Sequence, residues 1–254
     1  NAKKNKLYFT RCPVVKKENI GCDLWYSEKQ GAKWKNPVKI ELKPEGGDSI
    51  SIGQPAISKD ERTLVYSADL PGGKGGKDLW YSEWNNKEKK WGPPINMADI
   101  NTKDVEKFPY FAPNGDLYFS TDGRVGMGGL DIYKASPDGK NQWKDIENVG
   151  YPLNTNADDF GIIFDGNDLK KGFLTSSRNG GKGKDDLYAF RLPEIVFSLE
   201  VVVKNRTTNE PVPNARITLA DDMGMKYELS TDATGKVVFE KNGEGRYITL
   251  EHNY

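Results

Sequence analysis

Asp23-Leu24-Trp25-Tyr26 returns as Asp78-Leu79-Trp80-Tyr81, then as Asp131-Ile132-Tyr133, and finally as Asp186-Leu187-Tyr188. The four aspartates are 55, 53 and 55 residues apart, and a fixed period of this length marks a repeat architecture. Upstream of each copy lies a short apolar run: Leu7–Thr10, Leu64–Ser67, Leu117–Ser120 and Phe173–Thr175. Ser67, Ser120 and Thr175 each precede their aspartate by 11 residues.

The second copy divides into four extended pieces. Gln54–Ile57 comes first, then Leu64–Ala68, the Gly-rich loop Gly72–Gly76, and Asp78–Glu83; Trp91–Ile95 leads into the fourth. Runs of β-branched and aromatic residues bounded by Gly, Pro and Asn read as strands, and Asn114-Gly115 marks a tight hairpin turn. Apolar residues nowhere keep helical spacing for three turns. Four strands per repeat of about 50 residues predict a propeller blade.

The first copy begins at its second strand and the fourth stops at its third, near Arg191. Open sheet edges are avoided in natural proteins, so the expectation is a ring completed by residues outside 1–254. The domain reading is an incomplete β-propeller of four blade repeats over residues 1–193, then a small antiparallel β-sandwich over 194–254, cut short at its end. The fold class is all-β.

Composition narrows the function. Lys and Arg total 37, as do Asp and Glu, so the basic excess of a nucleic-acid binder is missing and no nucleic-acid partner is expected. One His among 254 residues leaves little for a zinc site or a Ser-His-Asp triad. No catalytic residue, cofactor or metal ligand is assigned.

The repeat resembles the WD-like propeller repeats of TolB-type proteins, on Phe108–Gly115, Leu117–Ser120, Gly126–Tyr133, Ser177–Gly181 and the linkers Ile100-Asn101-Thr102 and Leu153-Asn154-Thr155. The tail resembles the carboxypeptidase-regulatory-like domain, a transthyretin-like β-sandwich, on Glu210–Ala215 and Thr231–Lys236. Their order is similar to that of multidomain OmpA-family proteins of Bacteroidota, the group that includes PorE of the type IX secretion system. The resemblance implies a non-enzymatic scaffold in the periplasm, associated with the outer membrane. Such a scaffold links a secretion or gliding machine to peptidoglycan. Its implied partners are an outer-membrane barrel protein of the PorP/SprF type, other secretion-system components, and peptidoglycan through a C-terminal domain not in this chain. The rivals are a glycan- or peptide-binding propeller and the propeller of a periplasmic hydrolase.

Several residue sets carry specific expectations. Asp23, Asp78, Asp131 and Asp186 stand one per blade, where a carboxylate caps the preceding turn by accepting its N–H groups; calcium held with loop carbonyls is the rival. The glycine loops lack the strand–helix context of a phosphate cradle. Trp25, Trp80, Trp34, Trp91 and Trp143 recur at fixed blade positions, as packing residues do, whereas Trp84 breaks the pattern and is the candidate surface aromatic. Cys12 and Cys22 lie at the two ends of one hairpin loop. A disulfide with Cα atoms about 5.5–6 Å apart is one reading and two free thiols the other.

Overall fold

A computed structural model describes residues 1, 3–13, 20–193, 196–221, 225–242 and 247–253. Every regular element among them is a strand, and the chain forms two compact units, Asn1–Arg191 and Leu192–Tyr254.

The first unit is four antiparallel blades. Blade one has β1 (Lys6–Arg11), β2 (Asp23–Gln30), β3 (Lys33–Trp34) and β4 (Val38–Lys39), with β3 and β4 both pairing with β2. Blade two has β5 (Ile52–Ile57), β6 (Thr63–Ala68), β7 (Asp78–Asn85), the short β8 (Lys90–Trp91) and β9 (Ile95–Asn96). Blade three runs β10 (Glu106–Phe111), β11 (Leu117–Thr121), β12 (Asp131–Pro137) and β13 (Trp143–Asn148) in sheet order. Blade four is β14 (Asp159–Asp165), β15 (Asp168–Ser176) and β16 (Asp186–Arg191). Each repeated aspartate opens the third strand of a blade pattern. Ala68 faces Asp78, Thr121 faces Asp131 and Ser176 faces Asp186 across the ladder.

The continuous apolar runs of the middle blades follow from burial on both faces. All six residues of β6 are buried: Leu64, Tyr66 and Ala68 enter the core between blades one and two, while Val65 enters the core between blades two and three with Leu79, Leu117 and Phe119. Blades three and four meet through Phe164, edge-on to Tyr118 at 5.0 Å. On β16 burial alternates instead. In the same blade Ile163 of β14, Phe173 of β15 and Leu187 of β16 are exposed, with Ile163 and Phe173 facing one another in register. Among the described residues no strand of blade one contacts a strand of blade four.

A β-bulge recurs in the first strand of blades two, three and four, between Gly53 and Ala56, Lys107 and Tyr110, and Phe160 and Ile163. Each contains one left-handed residue: Gln54, Phe108 or Gly161, with φ of 56°, 54° and 65°. The first two are not glycine and are held by neighbouring blades. Gln54 N–H donates to Thr10 Oγ1 at 2.8 Å, and Phe108 N–H donates to Gln54 Oε1 at 3.0 Å. Sequence reading had missed this staple.

Among its described residues the second unit has five strands in two sheets. β17 (Val196–Val202) pairs with β20 (Lys236–Asn242). β18 (Arg216–Asp221) lies between β19 (Lys226–Ser230) and β21 (Tyr247–Asn253). Ile217, Leu219, Val237 and Phe239 form its core, and Thr231, in the expected turn motif, is buried with its hydroxyl donating to Val212 O.

Candidate functional site

The loops on the blade face are held by one recurring device. Asp78 Oδ2 accepts the Lys74 N–H and Oδ1 accepts that of Gly75 at 3.1 Å. Asp131 Oδ2 accepts from Met127 N–H at 2.7 Å and Gly128 N–H at 3.3 Å. Asp186 Oδ2 accepts from Lys182 N–H at 2.8 Å and Gly183 N–H at 3.0 Å. A Cβ at Gly73, Gly126 or Gly181 would collide with the respective carboxylate, which is why each loop carries glycine at that point. Asp23 differs. Its carboxylate lies 3.4 Å from Lys39 Nζ and 3.0 Å from Lys43 Nζ, and residues 14–19 of its loop, which a turn cap would involve, lie outside the described residues. The four carboxylates stand in separate blades, and no cluster of three or more metal-ligating side chains occurs among the described residues.

Two buried asparagines complete the frame, and sequence reasoning quoted their motif without assigning their role. Asn101 Oδ1 accepts Leu79 N–H and its Nδ2 donates to Leu79 O, both at 2.8 Å. Asn154 does the same to Ile132, both at 2.8 Å, and also donates to Asn148 Oδ1 at 2.7 Å. The threonine after each asparagine donates to a fully buried carboxylate at the start of the next blade. Thr102 Oγ1 donates to Glu106 at 2.6 Å and Thr155 Oγ1 to Asp159 at 2.8 Å. Arg178 closes the second of these sites with an ion pair to Asp159 at 2.7 Å. The available signal was the pair of Asn-Thr dipeptides 53 residues apart, each with an acid four residues beyond its threonine.

Cys12 and Cys22 form a disulfide with Cα atoms 4.1 Å apart, closer than the expected spacing. They follow directly on the Arg11–Asp23 pair of the β1–β2 ladder, and facing residues of a non-hydrogen-bonded antiparallel pair sit about 4.5 Å apart. Trp84 is half-buried: it packs on the core between blades one and two, meets Trp91 edge-on at 5.3 Å, and lines a second cavity of about 460 Å³.

A cavity of about 770 Å³ opens where blade one meets blade two, within the range usual for ligand sites. Leu42, Lys43 and Pro44 come from the connection after β4. Leu70 and Pro71 come from the loop after β6, Trp80 from β7, and Trp91, Pro93 and Pro94 from the outer hairpin. Glu41, Asn85, Glu88, Lys90 and Gly92 complete the lining. The indole N–H of Trp80 is buried and has no acceptor among the described residues. Two carboxylates and two ammonium groups, Glu41, Glu88, Lys43 and Lys90, are the charged groups of its lining. Sequence reading placed Trp80 and Trp91 as packing residues; that they also wall a groove depends on the spacing between two blades, which no single repeat encodes.

No family model matches the sequence, and no curated protein does. Among solved structures, the chain is similar to a luciferin-regenerating enzyme, with 13% identity, a TM-score of 0.45, and coverage of 74% of this chain and 58% of that one. It thus spans less than two thirds of that enzyme's length. A calcium-stabilised adhesin with which an Antarctic bacterium binds ice also matches, at 13% identity and a TM-score of 0.13, over 87% of this chain and 73% of the other.

Proposed function

We propose that this chain is a non-enzymatic binding platform of the bacterial periplasm, within an outer-membrane-associated scaffold. The reading rests on one observation above all. A blade frame, fixed by Asp and Asn clamps, presents a Trp- and Pro-walled groove. Propellers are frames on which function is set by grafted sites, and this graft is one of recognition. The Cys12–Cys22 disulfide suits an oxidising compartment. The repeat and tail motifs support the finer reading, in which the scaffold joins a type IX secretion or gliding machine to the cell envelope. An outer-membrane barrel protein of the PorP/SprF type is then its partner, and peptidoglycan is held by another domain.

The test is direct binding of the purified chain to a detergent-solubilised barrel protein of that type, with sedimentation on peptidoglycan sacculi alongside. Saturable binding to the barrel protein and none to sacculi is expected. Absence of barrel binding, or turnover of ester or peptide substrates by the chain, overturns the reading.

A further inference from the structure

We infer that the chain self-associates head to tail, the free face of blade four in one copy seating the free face of blade one in the next. Each inner blade packs by two faces, and the ladder registers assign residues to each. In the core between blades two and three, Val65 and Leu79 of blade two meet Leu117, Phe119 and Tyr133 of blade three. In the core between blades one and two, Leu24 and the partly buried Tyr8 of blade one meet Leu64, Tyr66 and Trp80 of blade two. Leu24 and Leu79 directly follow the blade aspartate, and Tyr8 and Val65 lie opposite the third residue after it. Blade four carries Leu187 directly after Asp186, and Phe173 opposite Ala189. In blades two and three the residues at these two places, Leu79, Val65, Ile132 and Tyr118, are buried. Leu187 is 71% exposed and Phe173 41%.

The complementary face is free on blade one. Leu64 and Leu117 lie opposite the fourth residue after the aspartate, and Tyr66 and Phe119 opposite the second. Leu7 and Phe9 hold the same two places on β1, and Trp25 holds that of Trp80 and Tyr133. Leu64, Tyr66, Leu117 and Phe119 are fully buried, whereas Leu7 is 49% exposed and Phe9 and Trp25 are half-buried. Among the described residues no strand of blade one contacts a strand of blade four, so neither face covers the other within one copy. Contiguous exposed apolar surface marks a site of association. The occupant follows from fit: the face that blade four leaves open is the kind that blades one and two already present to a neighbour, and a second copy carries its counterpart free. Joining two different patches makes the contact heterologous.

Sedimentation velocity of the full chain across a range of concentrations should show reversible association above the monomer mass. Leu187→Glu on the blade-four face and Leu7→Glu on the blade-one face should each weaken it about a hundredfold, because an unpaired charge is carried into an apolar contact. Phe173→Ala, which adds no charge, should weaken it about tenfold through lost apolar burial. Mixed in equal amounts, the two glutamate variants should recover a dimer, since each keeps the face that the other has lost. Val125→Ser, at an exposed loop position of blade three, should change nothing, and circular dichroism checks that each variant is folded. A monomeric parent overturns the inference and leaves both faces to a different protein. Association that survives either glutamate, or a mixture of the two variants that stays monomeric, overturns it as well. If the chain binds the barrel protein but remains monomeric, self-association falls and the platform reading stands.

Discussion

Replacing Asn154 measures how much of the frame depends on one side chain. In Asn154→Ala the N–H of Ile132, a fully buried residue, loses the partner it has at 2.8 Å, while Ile132 O keeps the Val149 N–H at 3.1 Å. An orphaned buried donor costs about 1–3 kcal/mol, so the substitution should destabilise the protein by that amount. For a unit of this size that corresponds to a fall in Tm of about 3–10 °C. Asn154→Asp separates hydrogen bonding from shape. Its carboxylate can still accept from Ile132 N–H, but it sets lone pairs against Ile132 O and Asn148 Oδ1, where the amide now donates. Ionisation is thus disfavoured in the folded state, and the folded pKa lies above the unfolded one. Stability from that group is present at acid pH and lost as pH rises through the folded pKa. The assay is thermal unfolding of parent and variants at pH 8 and pH 5. Asn154→Asp should match or exceed the alanine loss at pH 8 and recover toward the parent at pH 5. A loss below about 1 kcal/mol for Asn154→Ala, or a gap for Asn154→Asp that widens on acidification, would refute the clamp reasoning.

Other expectations follow from the same frame. Cys12→Ser with Cys22→Ser should cost about 2–3 kcal/mol in denaturant unfolding, the loop being short, and no thiol should titrate in the unreduced, unfolded parent. Asp131→Ala frees the N–H groups of Met127 and Gly128 and should cost about 1–3 kcal/mol; chelator should leave the parent's Tm unchanged, and a chelator-sensitive parent with an insensitive mutant would instead mark a metal site. Burial pushes the Tyr118 hydroxyl up to about 12, and burial raises Tyr8 and Tyr66 as well. These neutral phenols contribute stability that is full below the ordinary value near 10 and declines as pH rises through about 12. Tyrosinate absorbance should therefore develop late and with unfolding, and early, reversible titration of all tyrosines would contradict this.

The blades were legible because their signal is periodic and local. The third-strand aspartates and the apolar runs recur within each repeat, and the glycine before the cap recurs in the second, third and fourth. Less legible was whatever depends on two blades at once. Gln54 and Phe108 adopt left-handed backbone only because a neighbouring blade or side chain satisfies their N–H groups, and propensity gives no hint of it. Trp84 stood outside the repeat pattern and was read as surface, but Trp91 lies across the β7–β8 hairpin from it and covers one side. Glu106 and Asp159 are fully buried, with their carboxylates met by the threonines four residues earlier and, for Asp159, by Arg178. The groove is likewise a product of blade spacing rather than of any motif.

The claim at the centre is that recognition occurs in the groove between blades one and two on an otherwise rigid frame. Two-dimensional NMR of the six tryptophan indole N–H groups tests it most directly, recorded while the solubilised barrel protein is added. The expected result is movement of the Trp80 and Trp91 signals alone. Unmoved Trp80 and Trp91 signals, or shifts centred on Trp25 or Trp143, would contradict the account.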